Sequence, residues 1–135
     1  MLRAVPLLAL PVLAYVVIVL LGGTAALSQP LFTFTLPSGA AYAFDAGTAI
    51  LTFGVFTLLI EVMKSTNVKS TNSIFDHALS TVLLIACILL FVLMPSAGTN
   101  TFFLLMLLCF IDVIAGFTVS IKTAQRDFQI DKTFQ

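Results

Sequence analysis

The sequence predicts an all-α membrane protein: a bundle of four transmembrane helices with a short extracytoplasmic β-hairpin between the first two. Three observations carry that expectation. Of 135 residues, 60% are hydrophobic and only 9% charged, with a mean hydropathy of +1.15. Soluble domains carry about 25% charged residues, so a water-soluble monomer would lack polar surface. The apolar residues fall into four runs of about 18–21 residues, the length a helix needs to cross a hydrocarbon core of about 30 Å. Finally, the six basic residues are distributed as one membrane topology demands. Helices are expected because a spanning segment must satisfy its own backbone groups.

The first run is Ala4 to Leu21, ahead of Gly22-Gly23. A secretory signal is the competing reading, since Arg3 precedes the run and Thr24-Ala25-Ala26 offers a cleavage site. The run exceeds the roughly 7–15 apolar residues typical of such signals, which favours a retained helix. Pro6 fits a first turn, whereas Pro11 is placed to kink the helix by freeing the carbonyl of Leu7.

Ser28 to Phe44 is too polar and too punctuated to span. Phe32, Phe34 and Leu36 alternate with threonines, Pro37-Ser38-Gly39 supplies a turn, and Tyr42 and Phe44 alternate with alanines. That period of two predicts a hairpin over about 31–44. An irregular loop with interfacial aromatics is the alternative. Two strands alone are marginal in water, so the aromatic face needs helix ends, lipid headgroups or a partner protein.

Asp45 is placed to cap the second run, Ala46 to Met63. After a polar loop, Ser73 and Asp76 have the spacing of a capping box opening the third run, Ile74 to Met94, which stops at Pro95. A tight turn leads to the fourth run, Phe102 to Ile121. The tail, 122–135, is expected to be cytoplasmic, a short helical extension that frays.

Arg3 precedes the first run, Lys64 and Lys69 lie between the second and third, and Lys122, Arg126 and Lys132 follow the fourth. The connections 22–45 and 95–101 hold no lysine or arginine. The positive-inside rule then puts both termini and the middle loop in the cytoplasm, and the hairpin opposite.

Helical spacing draws three stripes. Gly47, Ile50, Gly54, Thr57 and Glu61 share one face of the second run; Asp76, Ser80 and Cys87, with Leu83 and Leu84 between, share one of the third. The fourth presents Leu105, Cys109, Asp112, Gly116 and Ser120. Small residues permit close helix approach and hydroxyls bond across it, so these stripes are expected to face one another, with leucine and phenylalanine toward lipid.

Asp112 is the central polar residue. It lies ten residues before Lys122, about 15 Å at the rise of a helix, which puts it near the midplane. A carboxylate at that depth is a functional-site hypothesis; the competing reading is a hydrogen-bonding anchor for packing, which weighs more. Tyr15, Thr57, Thr52 and Ser80 are expected at comparable depth. Glu61 is expected about 10 Å shallower and paired with Lys64 at i,i+3. His77 reads as an interfacial residue. A cytoplasmic-side cluster of Glu61, Lys64, Asp76, His77 and Lys122 is expected to lock the bundle.

Several functions lose ground. Six acidic residues balance the six basic ones, so nucleic acid finds no basic field. One histidine argues against a zinc site, and Cys87 and Cys109 read as small hydrophobes. No Ser/His/Asp set or phosphate-binding loop is present. No enzymatic activity, catalytic residue, metal or cofactor is expected, and the two helix pairs do not match as an internal repeat. Segments around Ser73 to Ser80 and Asp112 to Asp127 resemble small bacterial inner-membrane proteins; the resemblance implies that location and no activity. The expected partners are the bilayer and other membrane proteins or copies of this chain. The favoured function is a structural or accessory subunit of a larger membrane complex, or a homo-oligomer. The alternative is an oligomeric proton or cation channel, or transporter component, using Asp112.

Overall fold

A computed structural model describes the backbone of residues 5–65 and 70–133, and the side chains of 5–64, 77–122 and 125–126. The described residues are mostly helical, with four helices and one two-stranded sheet among them. In order these are α1 (Ala9–Gly22), a 3₁₀ turn (Thr24–Ser28), β1 (Pro30–Thr35), β2 (Ala41–Asp45), α2 (Ala46–Ser65), α3 (Ser70–Leu93), a 3₁₀ turn (Pro95–Ala97) and α4 (Asn100–Thr133). Helix α4 is the hub: it packs most extensively against α3 and α2, while α1 lies against α2 and, more sparingly, α4.

Helix α1 differs from the expectation at its start. It begins at Ala9, so Pro11 falls in the first turn, and the Leu7 carbonyl accepts the Leu10 N–H at 3.0 Å. At that position proline removes no intrahelical bond, because first-turn amides have no intrahelical partner to lose. Gly23 ends it with φ +70° and donates its N–H to Val19 O at 2.9 Å, a conformation glycine adopts without a Cβ penalty.

The hairpin forms as the alternation implies. β1 and β2 pair antiparallel, with Phe32 opposite Phe44 and Phe34 opposite Tyr42. At the turn, Gly39 donates to Leu36 O at 2.8 Å, and Gly39 itself has φ +84°. Pro37 second in a turn, then a left-handed glycine, is the chemistry of a three-residue hairpin loop. Both strands are anchored at their base, where Ala46 N–H donates to Gln29 O at 3.2 Å. Asp45 then opens α2 directly, its Oδ1 accepting the Thr48 N–H at 2.7 Å.

Two helical segments, Ala46–Lys64 and Asn100–Lys122, are long and apolar enough to cross a membrane. The apolar parts of the others, Ala9–Gly22 and His77–Leu93, are shorter. Helix α3 ends as expected: Met94 is extended (φ −105°, ψ 116°) ahead of Pro95, as the proline ring requires of its predecessor. Its start differs, since α3 is already helical at Ser70, and the side chains of the Ser73–Asp76 capping pair lie outside those described. Helix α4 is longer than the fourth run at both ends. Thr99 caps it, Oγ1 accepting the Phe102 N–H at 3.2 Å, and it continues unbroken through Lys122 to Thr133. The core is an apolar column of Leu8, Val12, Tyr15, Ile50, Cys87, Phe102, Leu105 and Cys109, all buried.

Asp45 yields a pH prediction. The Thr48 hydroxyl, and then its backbone N–H, hold the Asp45 carboxyl below the usual carboxylate range. A lowered pKa stabilises the folded form above the ordinary carboxylate range and stops doing so as pH falls through the lowered value. Hydrogen exchange at the Thr48 amide should therefore be protected at neutral pH and lose protection in acid. Asp45→Ala should cost about 1 kcal/mol and remove that pH dependence, whereas Asp45→Asn should keep most of the cap.

Candidate functional site: a buried polar cluster between three helices

Each predicted stripe turns inward. On α2, Gly47, Ile50, Gly54, Thr57 and Glu61 are all buried; on α3, Ser80 and Cys87 are buried; on α4, Leu105, Cys109, Asp112 and Gly116 are buried and Ser120 half-buried. The opposite faces carry Phe53, Phe56, Ile85, Leu89, Phe110 and Ile114 on the outside. Three helices whose small and polar residues share a face bring those residues to one axis.

The polar members gather at one end of that axis. Asp112, on α4, is 6% exposed, and its carboxylate is hydrogen-bonded to the Ser80 hydroxyl of α3. Glu61, His77 and Lys64 stand near enough to act on its charge. Glu61 makes two further contacts. One oxygen is 3.5 Å from Lys64 Nζ, the expected i,i+3 pair. The other accepts the Leu7 N–H at 3.0 Å, placing a carboxylate at the start of α1, where helix amides lack partners and negative charge is favoured. Among the described residues, every buried side-chain nitrogen and oxygen has a hydrogen-bond partner.

His77 is buried between the helices, at 8% exposure. Its ring lies on Gly116, so closely that a Cβ at position 116 would overlap the imidazole, and it faces Phe117 at 6.2 Å between centroids. Glycine 116 is thus the socket for the histidine. Lys122 is exposed on α4, outside this group; the Asp76 side chain lies outside those described.

Helix α4 runs on through Lys122 rather than ending there, so that lysine does not mark the helix end from which the depth of Asp112 was counted.

Tyr15 and Thr52 do not join Asp112. Tyr15 is buried toward the other end of the bundle, where its hydroxyl donates to Ser96 O at 2.9 Å and lies 2.6 Å from Thr99 Oγ1. Its ring packs on Phe102 at 4.9 Å. Thr52 is exposed and donates to Thr48 O of its own helix; Thr57 is buried and donates to Gly54 O. The Tyr15–Ser96–Thr99 tie escaped the sequence reading. Its visible signal was Thr99, a capping residue three positions before Phe102.

Cys87 and Cys109 are buried neighbours across the α3–α4 contact, both free. No group of three or more His, Cys, Asp or Glu among the described residues is arranged to hold a metal ion. Beside Tyr15, a cavity of about 20 Å³ between α1 and α3, lined mainly by Val16, Val19, Leu90, Met94 and Phe102, has room for about one water. Comparison with known protein families, curated proteins and solved structures finds no match for this chain.

The glycine socket gives a sharp contrast. Gly116→Ala should destabilise the folded protein by about 1–3 kcal/mol, because the ring it strikes is rigid and enclosed. Gly54→Ala should cost less: the new methyl meets the Cδ ends of Leu108 and Leu105, at 2.9 and 3.2 Å, with Pro11 Cβ at 3.9 Å, and alanine recovers about 0.8–1 kcal/mol of helix propensity. Thermal unfolding of both variants in mild detergent measures the difference.

Proposed function

We propose that this chain is a four-helix integral membrane protein acting as a structural or accessory subunit of a larger membrane assembly, or as a homo-oligomer. The carrying observation is the closure of the polar cluster. Asp112 is bonded by Ser80 and flanked by Glu61, His77 and Lys64 in the interior, with no buried side-chain polar atom unpaired among the described residues. Polar groups that satisfy one another hold helices together; a conduction path would leave some of them to water.

The membrane assignment rests on two helical segments of spanning length, the apolar outer faces of all four helices and the low charge content. Helix α3 at 24 residues is about 36 Å long, enough to cross with its polar first turns at one surface. Helix α1 is shorter and completes its passage with the turn at Val5–Leu8. In this reading both termini and the loop after α2 are cytoplasmic, as the basic residues favour, and the membrane is a bacterial inner membrane on the resemblance alone.

One observation favours a second reading. Two carboxylates, an imidazole and an ammonium share one low-dielectric region, and intramembrane acids are used as proton relays. An oligomeric proton or cation channel, or transporter component, would use Asp112 as its binding carboxylate.

The two readings separate by flux and assembly. Reconstituted wild-type protein should carry no proton or cation current. Native mass spectrometry from lipid discs should show it with other membrane proteins or as an oligomer of defined size. Asp112→Asn should lower the stability of that assembly by about 1–3 kcal/mol, through its weakened buried hydrogen bonds. A wild-type current that Asp112→Asn abolishes would overturn the structural reading in favour of the channel.

A further inference from the structure

The hairpin's aromatic face is uncovered. Phe32, Phe34, Tyr42 and Phe44 lie on one side of the sheet, stacked as a ladder with Phe32 and Phe44 at 4.8 Å and Phe34 and Tyr42 at 5.4 Å. Phe32 is 54% exposed, Phe34 48% and Tyr42 39%. The other side carries Thr33, Thr35, Ala41 and Ala43. Hydroxyls and small groups thus back an aromatic front whose one polar atom is the Tyr42 hydroxyl.

We propose that this hairpin lies on the lipid bilayer, its aromatic face in the boundary between headgroups and acyl chains and its threonine face toward water. The proposal rests on the membrane reading above and adds a binding surface with a stated occupant. Two features select lipid over a protein partner. No charged residue occurs from Gly22 to Phe44, so the hairpin offers no charged group for an ion pair or for steering toward a protein, where complementary charge confers specificity. A zwitterionic boundary asks for none; amphipathic rings such as that of Tyr42 concentrate there, and phenylalanines take the apolar side of segments lying in that plane. The hairpin is also continuous with the lipid-facing surface. It joins α2 without a linker, and the last turn of α1 presents Leu20 and Leu21, 71% and 85% exposed, just before the connecting turn.

The energetics agree. An isolated two-stranded sheet is marginal in water, and burying aromatic area contributes about 25 cal/mol per Å². The unpaired strand edges are tolerable at that depth, because headgroup water reaches them; only the hydrocarbon core forbids open edges. A strand of six residues is about 20 Å long, so a hairpin in the plane of the surface would cover lipid beside the helix ends.

The chain contains no tryptophan, so single indoles can report depth. Phe34→Trp, Tyr42→Trp, Thr33→Trp and Phe110→Trp would each be reconstituted in phosphatidylcholine vesicles carrying bromine at defined acyl positions. Phe34→Trp and Tyr42→Trp should show blue-shifted emission that is lost with shallow bromines. Thr33→Trp should keep its emission with bromolipid and lose it to aqueous acrylamide. Phe110→Trp, on the outer face of α4, is the control and should be quenched by deep bromines. If the Phe34→Trp and Tyr42→Trp indoles are quenched by acrylamide instead, the hairpin stands in water and the proposal fails while the membrane reading survives. Protection from both quenchers would replace lipid with a second copy or another protein. A Phe110→Trp indole that no bromolipid quenches would overturn the membrane reading itself.

Discussion

The constraint on which this structure depends is that polar groups placed among apolar helices must satisfy one another. Asp112 is bonded by Ser80 between α4 and α3, Glu61 pairs with Lys64 on α2 and also accepts the Leu7 N–H ahead of α1, and His77 stands near enough to act on the charge of Asp112. Removing one partner of a buried pair costs more than the pair contributes in net terms. The cluster therefore specifies which helix faces meet and at what height, more than it supplies bulk stability.

A second tie stands apart from the first. Tyr15 of α1 reaches the turn between α3 and α4 through Ser96 O and Thr99 Oγ1, and Thr99 also caps α4. One hydroxyl thus joins the positioning of α1 to the initiation of α4. Elsewhere along the axis the contact is apolar and close, with Cys87, Leu105 and Cys109 almost wholly buried. Such a column has dispersion but little direction. Register comes from the polar ties, where donors and acceptors must meet within a few tenths of an ångström.

Much of this was legible because it is periodic or local. Gly47, Ile50, Gly54, Thr57 and Glu61 recur at helical spacing, and all five are buried. Phe32, Phe34, Tyr42 and Phe44 recur at spacing two around a Pro-x-Gly turn, and all four share one sheet face. Asp45 caps α2 and Glu61 pairs with Lys64 within three residues, a range at which sequence separation fixes distance. Prolines were harder, since their effect depends on where the helix starts: Pro11 kinks a helix begun at Ala4 and merely opens one begun at Ala9.

What the sequence determined by itself was the elements and their faces: apolar helices, an aromatic hairpin, and stripes of small and polar residues that turn inward. Tertiary structure alone decided which polar residues on those stripes meet. Tyr15 was expected at the depth of Asp112 and instead holds Ser96 and Thr99 toward the other end of the bundle; Glu61 accepts the Leu7 N–H ahead of α1, a contact no spacing foretold. His77 packs on Gly116 across the α3–α4 contact, a pairing no spacing foretold. The reason is geometric. Periodicity fixes the rotation of a side chain about its own helix axis, while its height against a neighbouring helix depends on how the two pack.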